Sequence, residues 1–159
     1  MISDAIVLAA EALVKPFEGY ARRLPDGGCR AYPDPGTGAK PWTIGWGCTG
    51  SEITAQTVWT LQQAEQALAQ HLQYFAVEAL KLSPVLAKAD DHKLAAIISF
   101  VYNCGLGNYR ISTLKRRVDA ADWIGAGEEI QKWNKAAGRV LPGLTRRRRA
   151  EALFLTAQD

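Results

Sequence analysis

Two carboxylates and one hydroxyl in the first 43 residues have the types and surroundings that acid–base chemistry requires. Glu18 follows the apolar stretch that ends at Phe17, where a carboxyl group is partly removed from water and is easier to keep protonated. Asp34 lies in a turn-rich stretch, where water and exposed backbone favour the ionised form. Thr43 adds a hydroxyl that can hold a water molecule. One protonated and one ionised carboxyl around a cleft are the equipment of glycoside hydrolysis.

The same three residues also have ordinary structural roles. Glu18 suits a helix end, Asp34 suits a turn and Thr43 suits a strand. Residue types alone favour these structural roles, so the pattern by itself leaves the chemistry open.

A second motif, Gly45–Gly50, matches the glycine pattern of dinucleotide-binding loops. That interpretation requires a helix that opens at the motif and an acidic residue about 20 positions further on. The next helix signal appears only at Thr54 or Thr60, and position 70 is Gln. The motif therefore does not predict a nucleotide site.

Local patterns predict the elements that position these residues. Apolar spacing predicts a helix over residues 3–17, and short strands are expected at Cys29–Tyr32 and Trp42–Trp46. Thr60 and Gln63 form a capping box at the start of a long helix over residues 60–82. Pro84 ends that helix because proline disfavours helical geometry in the residue before it.

The remaining sequence predicts helices. The complete pattern of predicted elements indicates an α+β fold that is mostly helical. Helices are expected from Asp90 or Asp91 to Gly105, and then at Thr113–Val118, Asp122–Trp133 and Leu144–Thr156. The prediction is a single domain, 1–159, in which a small strand-rich lobe (19–59) and a connecting helix (60–82) precede a helical lobe (84–159 with helix 3–17).

Composition indicates a soluble globular protein without a membrane span. The 159 residues are 48% hydrophobic and 22% charged, and no apolar run approaches the roughly 20 residues that a span needs. The stretch Ile6–Val14 is interrupted by Glu11 and has no basic region before it, so it does not read as a signal peptide. Three scattered cysteines and two histidines predict a reduced protein with no metal and no cofactor.

Positive charge is concentrated in the last third of the chain. Residues 1–105 carry eight Lys or Arg against ten Asp or Glu, whereas residues 106–159 carry eleven against six. The run Arg146–Arg149 is either a solvated helix face or a contact for a polyanion such as nucleic acid or an anionic cell-wall polymer. The sequence leaves both interpretations open.

Two blocks of motifs resemble one family, the phage-type lysozymes of glycoside hydrolase family 24. The first block holds Phe17–Gly19, Ala31–Asp34 and Trp42–Gly47. The second holds Ser99–Gly105, Ser112–Leu114, Trp133, Gly143–Arg148 and Glu151. The resemblance covers roughly residues 10 to 156 and implies a lysozyme-like fold.

The resemblance implies a role for each matched residue. Glu18 resembles the general acid of the family, Asp34 the second carboxylate and Thr43 the hydroxyl that completes the catalytic set. Substrate-binding positions along the cleft correspond to Thr49, Tyr102, Asn103, Thr113 and Trp133.

Two departures from the family pattern affect these assignments. Fifteen residues separate Glu18 from Asp34 and eight separate Asp34 from Thr43, where the commoner spacing is E-x8-D-x5-T. Asp26 lies closer to the usual distance from Glu18, but Asp34 is preferred because Tyr32 precedes it as the family tyrosine does. Cys48 stands where relatives often have His, and it is interpreted as a packed thiol.

The function implied by the resemblance is that of an endolysin. Such an enzyme hydrolyses the β-1,4 bond between N-acetylmuramic acid and N-acetylglucosamine in bacterial peptidoglycan, with inversion, as a monomer. It is expected to stay in the host cytoplasm until a holin releases it to the periplasm and cell wall. A lytic transglycosylase and a basic nucleic-acid-binding module are the alternatives, and Asp34 with Thr43 argues against the first.

Overall fold

The computed structural model describes residues 1–158, and their fold is α+β and mostly helical, as predicted. The chain divides into two compact units. The strand-bearing unit comprises residues 14–71, and the helical unit comprises residues 1–13 with residues 72 onward.

The strand-bearing unit contains four two-residue strands in two antiparallel pairs. They are β1 (Cys29–Arg30), β2 (Thr43–Ile44), β3 (Cys48–Thr49) and β4 (Val58–Trp59), with β1 paired to β4 and β2 to β3. The predicted strands Cys29–Tyr32 and Trp42–Trp46 were too long, and β3 and β4 were not predicted. Closely spaced prolines and glycines limit each ladder to two residues, because proline lacks an N–H and glycine favours turns.

The predicted N-terminal helix is broken into three segments. These are α1 (Ile2–Leu8), a π-helical turn (Ala9–Val14) and α2 (Lys15–Glu18). Pro16 lies in the first turn of α2, where a missing N–H costs little, and the wider π turn precedes it. Gly19 ends α2 with φ = 71°, a backbone conformation that residues other than glycine rarely adopt.

The long helix α3 (Leu61–Leu82) begins and ends where the sequence predicts. The Thr60 N–H donates to Gln63 Oε1 at 2.8 Å, and the Gln63 N–H donates to Thr60 Oγ1 at 3.1 Å. This reciprocal pair satisfies two N–H groups that the helix leaves unpaired. Its apolar face includes Leu68 and Leu72, both at most 1% exposed.

The helical unit is built around α4 (Asp91–Cys104). Asp90 caps this helix by accepting from the N–H groups of His92 and Lys93, and α4 packs against α1 and α8. The remaining elements are a 3₁₀ turn (Pro84–Ala87), α5 (Leu106–Arg110), α6 (Thr113–Asp119), α7 (Trp123–Ile130), the hairpin of β5 (Lys135–Ala136) with β6 (Arg139–Val140), and α8 (Pro142–Thr156).

Two boundaries in this unit differ from the prediction. The helix predicted over Asp122–Trp133 ends at Ile130, because the chain turns into the β5–β6 hairpin. Helix α8 starts at Pro142, two residues before the predicted Leu144, since proline is well suited to the first helical position. Helix α5 and the hairpin were not predicted.

A buried ionic cluster joins α4 to α8. Ser99 Oγ donates to Glu151 Oε2 at 2.6 Å, and Arg147 Nε lies 3.6 Å from the same oxygen. Arg148 Nε lies 3.0 Å from Glu151 Oε1. The two atoms form an ion pair, but their geometry is not that of a hydrogen bond. Burial raises the pKa of the Glu151 carboxyl, while Arg148, Arg147 and the Ser99 hydroxyl act in the opposite direction.

The cluster divides the arginine run into two kinds of residue. Arg147 and Arg148 are buried against Glu151, whereas Arg146 and Arg149 are exposed. Arg148 also donates to Cys104 Sγ at 2.9 Å and to Asn103 Oδ1. Two of the four arginines are therefore structural, and only the other two face solvent.

Glu151→Ala is expected to destabilise the protein by about 3–5 kcal/mol, because it leaves two buried arginines without their counter-charge. Glu78→Ala removes one partner of the Glu78–Lys81 surface pair and is expected to cost less than about 1 kcal/mol. Urea unfolding of both variants measures the difference. Equal losses would mean that the cluster contributes no more than a surface ion pair.

Candidate active site

Three hydroxyl-bearing residues form a row across the short strands of the strand-bearing unit. The Tyr32 N–H donates to Thr43 O at 2.9 Å, and the Thr43 N–H donates back to Tyr32 O at 2.9 Å. On its other side, Thr43 lies opposite Thr49 in the β2–β3 register. Tyr32, Thr43 and Thr49 therefore occupy neighbouring positions on three adjacent strand segments.

The pairing geometry places these three side chains on one face. Residues directly opposite each other in antiparallel strands project to the same side. Because both backbone groups of Thr43 bond to Tyr32, Thr43 meets Thr49 as a non-hydrogen-bonded pair, in which side chains approach more closely. We name this row, Tyr32–Thr43–Thr49, the hydroxyl ladder.

The turn that joins β2 to β3 depends on two glycines. Gly45 and Gly47 have φ values of 63° and 86°, which glycine adopts without a steric penalty. They flank the buried Trp46 in a three-residue hairpin turn. This turn accounts for the glycine pattern at Gly45–Gly50, which opens no helix and so matches no dinucleotide-binding loop.

Glu18 lies next to the hydroxyl ladder within the same unit. It is the last residue of α2 and is half-buried. Burial, the nearby Glu18 carboxylate and Cys48 raise the pKa of the Tyr32 hydroxyl above its ordinary value. The Glu18 charge is therefore one of the influences on the Tyr32 hydroxyl.

Asp34 begins the loop that Tyr32 and Thr43 close. Its Oδ2 accepts from the N–H groups of Gly36 and Thr37, each at 3.1 Å, which fixes the carboxylate orientation. Asp34 is two residues beyond Tyr32, at the start of this loop. Glu18, Asp34 and Thr43 thus lie in the same unit, and their joint catalytic role stays a prediction.

Asp26 has a different environment. It is exposed in the turn between Leu24 and Gly28, and its Oδ1 accepts from the Gly28 N–H at 2.8 Å. This turn is not part of the hydroxyl ladder. The choice of Asp34 over Asp26 as the second carboxylate stays a prediction.

Aromatic and cationic contacts that the sequence did not predict brace this region. The Tyr20 and Trp46 rings lie 4.6 Å apart, and Lys15 Nζ lies 4.7 Å from the Trp46 centroid. Lys15 also pairs with Glu65 at 2.9 Å. These contacts fix the end of α2, which carries Glu18, against the β2–β3 turn. No local spacing signals them, because the partners are 26 or more residues apart.

Four predicted substrate-binding residues belong to the helical unit. Tyr102 is half-buried and packs edge-on against Phe75, with centroids 5.8 Å apart. Trp133 packs in the same manner against Phe100 at 5.5 Å. Asn103 accepts from Arg148, and Thr113 Oγ1 accepts from Arg116 at 2.9 Å. Each side chain thus has a structural contact in the helical unit, and its part in substrate binding stays a prediction.

Across residues 1–158, no three His, Cys, Asp or Glu side chains are grouped so that they could hold a metal ion. No helix in that range is long and apolar enough to cross a membrane.

Comparison with known proteins places the chain in a family. Residues 25–151 match the family model for phage lysozyme, a range that includes Asp34 and Thr43 and that Glu18 precedes. The chain is 35% identical over 148 residues to an endolysin of Bacillus phage B103, covering 92% of this chain and 52% of that protein. It spans about half the length of that relative. An endolysin of Acyrthosiphon pisum secondary endosymbiont phage 1 is 35% identical over 150 residues, with coverage of 91% and 94%.

The fold agrees with this placement. A crystal structure of a P22 lysozyme mutant superposes with a TM-score of 0.72 at 27% identity, covering 97% of each chain. The predicted lysozyme-like fold is confirmed. The chain belongs to the phage lysozyme family.

Glu18→Gln is expected to lower the pKa of Tyr32 relative to the wild type. The Tyr32 pKa falls because the negative charge of Glu18 disfavours the phenolate, and the neutral amide of Gln removes that effect. Glu52→Gln, which removes an exposed carboxylate from the same unit, is the control. NMR titration of the tyrosine ring carbons measures both variants. A Tyr32 pKa that does not respond to Glu18→Gln would separate Glu18 from the hydroxyl ladder.

Proposed function

We propose that this protein is an endolysin-type muramidase. It hydrolyses the β-1,4 bond between N-acetylmuramic acid and N-acetylglucosamine in bacterial peptidoglycan. The observation that carries the proposal is the match of residues 25–151 to the phage lysozyme family, and the location of Glu18, Asp34 and Thr43 in one unit supports it. Residues 1–159 act as one catalytic domain.

Glu18 is the general acid of this reaction. It is the last residue of α2 and is half-buried. It donates a proton to the glycosidic oxygen as the bond breaks, which makes the sugar a better leaving group.

Asp34 and Thr43 position the attacking water. The two backbone N–H groups on Asp34 Oδ2 hold the carboxylate in place, so it can orient a water and accept its proton. The Thr43 hydroxyl, next to Tyr32 in the ladder, supplies the second contact for that water. Attack on the face opposite the leaving group inverts the anomeric carbon, a course that needs carboxyl groups about 6.5–9.5 Å apart.

The cellular setting follows from the family resemblance. We propose that the protein acts as a monomer, that it accumulates in the host cytoplasm, and that a separate holin gives it access to the periplasm and cell wall. Expression in a bacterial host with and without a holin gene tests this point. Lysis that is equally fast in both cultures would contradict it.

Product analysis separates hydrolysis from its closest alternative. A muramidase releases fragments that end in reducing N-acetylmuramic acid, whereas a lytic transglycosylase leaves an anhydro-sugar that is lighter by one water. Mass spectrometry of digested, purified peptidoglycan distinguishes the two. Anhydro-ended products would exclude the water-positioning role of Asp34 and Thr43.

Glu18→Gln is expected to fold normally and to lose about 10²–10⁴-fold in the rate of peptidoglycan cleavage, since an amide cannot donate the required proton. Glu128→Gln, an exposed change of the same type in α7, serves as the control and should retain full activity. Turbidity clearing of purified cell walls measures both. Activity of Glu18→Gln within tenfold of the wild type would remove Glu18 from the acid role.

Asp34→Asn and Asp26→Asn are matched changes that test the alignment through the enlarged turn. Asparagine retains a side-chain oxygen, so both variants can keep their turn hydrogen bonds and stay folded. Asp34→Asn is expected to reduce the cleavage rate at least about 100-fold, whereas Asp26→Asn stays within about twofold. If the two results are exchanged, Asp26 is the second carboxylate.

A further inference from the structure

A cavity of about 570 Å³ opens in the strand-bearing unit beside the hydroxyl ladder. Thr49, a member of the ladder, lines it, as does Trp42, which directly precedes Thr43. Its volume lies within the roughly 300–1,000 Å³ typical of small-molecule sites. The complete lining is Lys40, Pro41, Trp42, Thr49, Gly50, Ser51 and Ile53.

The lining has the chemistry of a site for a charged sugar. The half-buried Trp42 offers an aromatic face for the C–H surface of a pyranose ring, and Thr49 and Ser51 offer hydroxyl groups. Lys40 contributes the only charged side chain of the lining. Within residues 1–158, the exposed Lys40 ammonium forms no ion pair, so its charge is available to an anionic ligand.

The loop that carries Lys40 is the segment in which this chain departs from the family spacing. Eight residues, not five, lie between Asp34 and Thr43, and Lys40–Trp42 end that segment. The loop is internally bonded: the Asp34 N–H donates to Ala39 O at 3.0 Å, and Thr37 Oγ1 donates to Lys40 O at 2.7 Å. Lys40 is therefore presented by an ordered turn next to the proposed catalytic set.

One acidic residue borders this cavity. A Cβ placed on Gly50 would lie 2.5 Å from a carboxylate oxygen of Glu52, so that carboxylate folds against the cavity wall. A like charge at this point opposes an anionic ligand, while Lys40 attracts it. The two residues thus act in opposite directions on the same ligand charge.

We propose that this cavity is a subsite for a muramyl unit, in which Lys40 binds a carboxylate of that unit and Trp42 packs against the sugar ring. The inference rests on the proposed function and names the part of the substrate that the strand-bearing unit recognises. The carboxylate belongs either to the lactyl group of a peptide-free sugar or to the attached peptide.

The test measures binding without turnover, in the Glu18→Gln background. The probes are a peptide-free tetrasaccharide of alternating N-acetylglucosamine and N-acetylmuramic acid, the same compound with amidated carboxyls, and a disaccharide-peptide. Isothermal titration calorimetry gives each Kd. Tighter binding of the native than of the amidated tetrasaccharide identifies the lactyl group, and a preference confined to the disaccharide-peptide identifies the peptide.

Lys40→Glu is expected to weaken binding of the carboxylate-bearing probe about tenfold and to leave the amidated probe unchanged within about twofold. Glu52→Gln should strengthen binding of the carboxylate-bearing probe, and Trp42→Ala should weaken both probes. Arg30→Glu, an equal charge reversal at an exposed position outside the cavity, is the control and should change neither.

These measurements distinguish failure of the proposed subsite from failure of the proposed function. If the wild-type protein digests peptidoglycan but Lys40→Glu changes the Kd of the native and amidated probes by the same factor, the subsite is wrong and the proposed function stands. If the wild type releases no saccharides from peptidoglycan, the proposed function fails whatever the probes show.

Discussion

Two backbone hydrogen bonds between Tyr32 and Thr43 constrain the whole candidate site. They close the loop of residues 33–42, place Asp34 at its start and Trp42 at its end, and set Thr43 between Tyr32 and Thr49. The strands on either side are only two residues long, so side-chain packing must supplement this bridge. The contacts among Lys15, Tyr20 and Trp46 do so, because they fix the end of α2 against the neighbouring turn. This packing holds the end of α2, and with it Glu18, in position.

The helical unit depends on a different constraint, the buried charges of Glu151, Arg147 and Arg148. Burying charges costs free energy unless they pair, and here Glu151 pairs with both arginines while Ser99 hydrogen-bonds to Glu151 and Arg147. Half of the arginine run is thereby withdrawn from solvent. A polyanion that contacts the run meets only Arg146 and Arg149, so the run gives less support to a nucleic-acid-binding module than four exposed arginines would.

Local signals in the sequence predicted the elements whose causes are local. The capping box at Thr60 and the cap at Asp90 fixed helix starts, and Pro84 fixed a helix end, because each acts within one turn. The two-residue strands β3 and β4 and the β5–β6 hairpin were missed, since so short a ladder shows no alternation. Glu18, Asp34 and Thr43 were predicted as a catalytic set through motif resemblance, and that assignment stays a prediction. The surroundings of Trp46 were not predicted, because its contacts join residues 26 or more positions apart. The cavity at Lys40 was not predicted either, because no residue pattern marks the space between two short segments.

The stereochemistry of the first product tests the central claim most directly. If Asp34 and Thr43 hold a water on the face opposite the leaving group, cleavage of the β-linked substrate gives the α-anomer first. Proton NMR of a soluble peptidoglycan oligosaccharide, recorded within minutes of adding enzyme, resolves the two anomers before mutarotation mixes them. An initial α signal that decays toward the equilibrium mixture is expected. An initial β signal would show retention, and with it a covalent or neighbouring-group mechanism in which Asp34 and Thr43 do not position the attacking water.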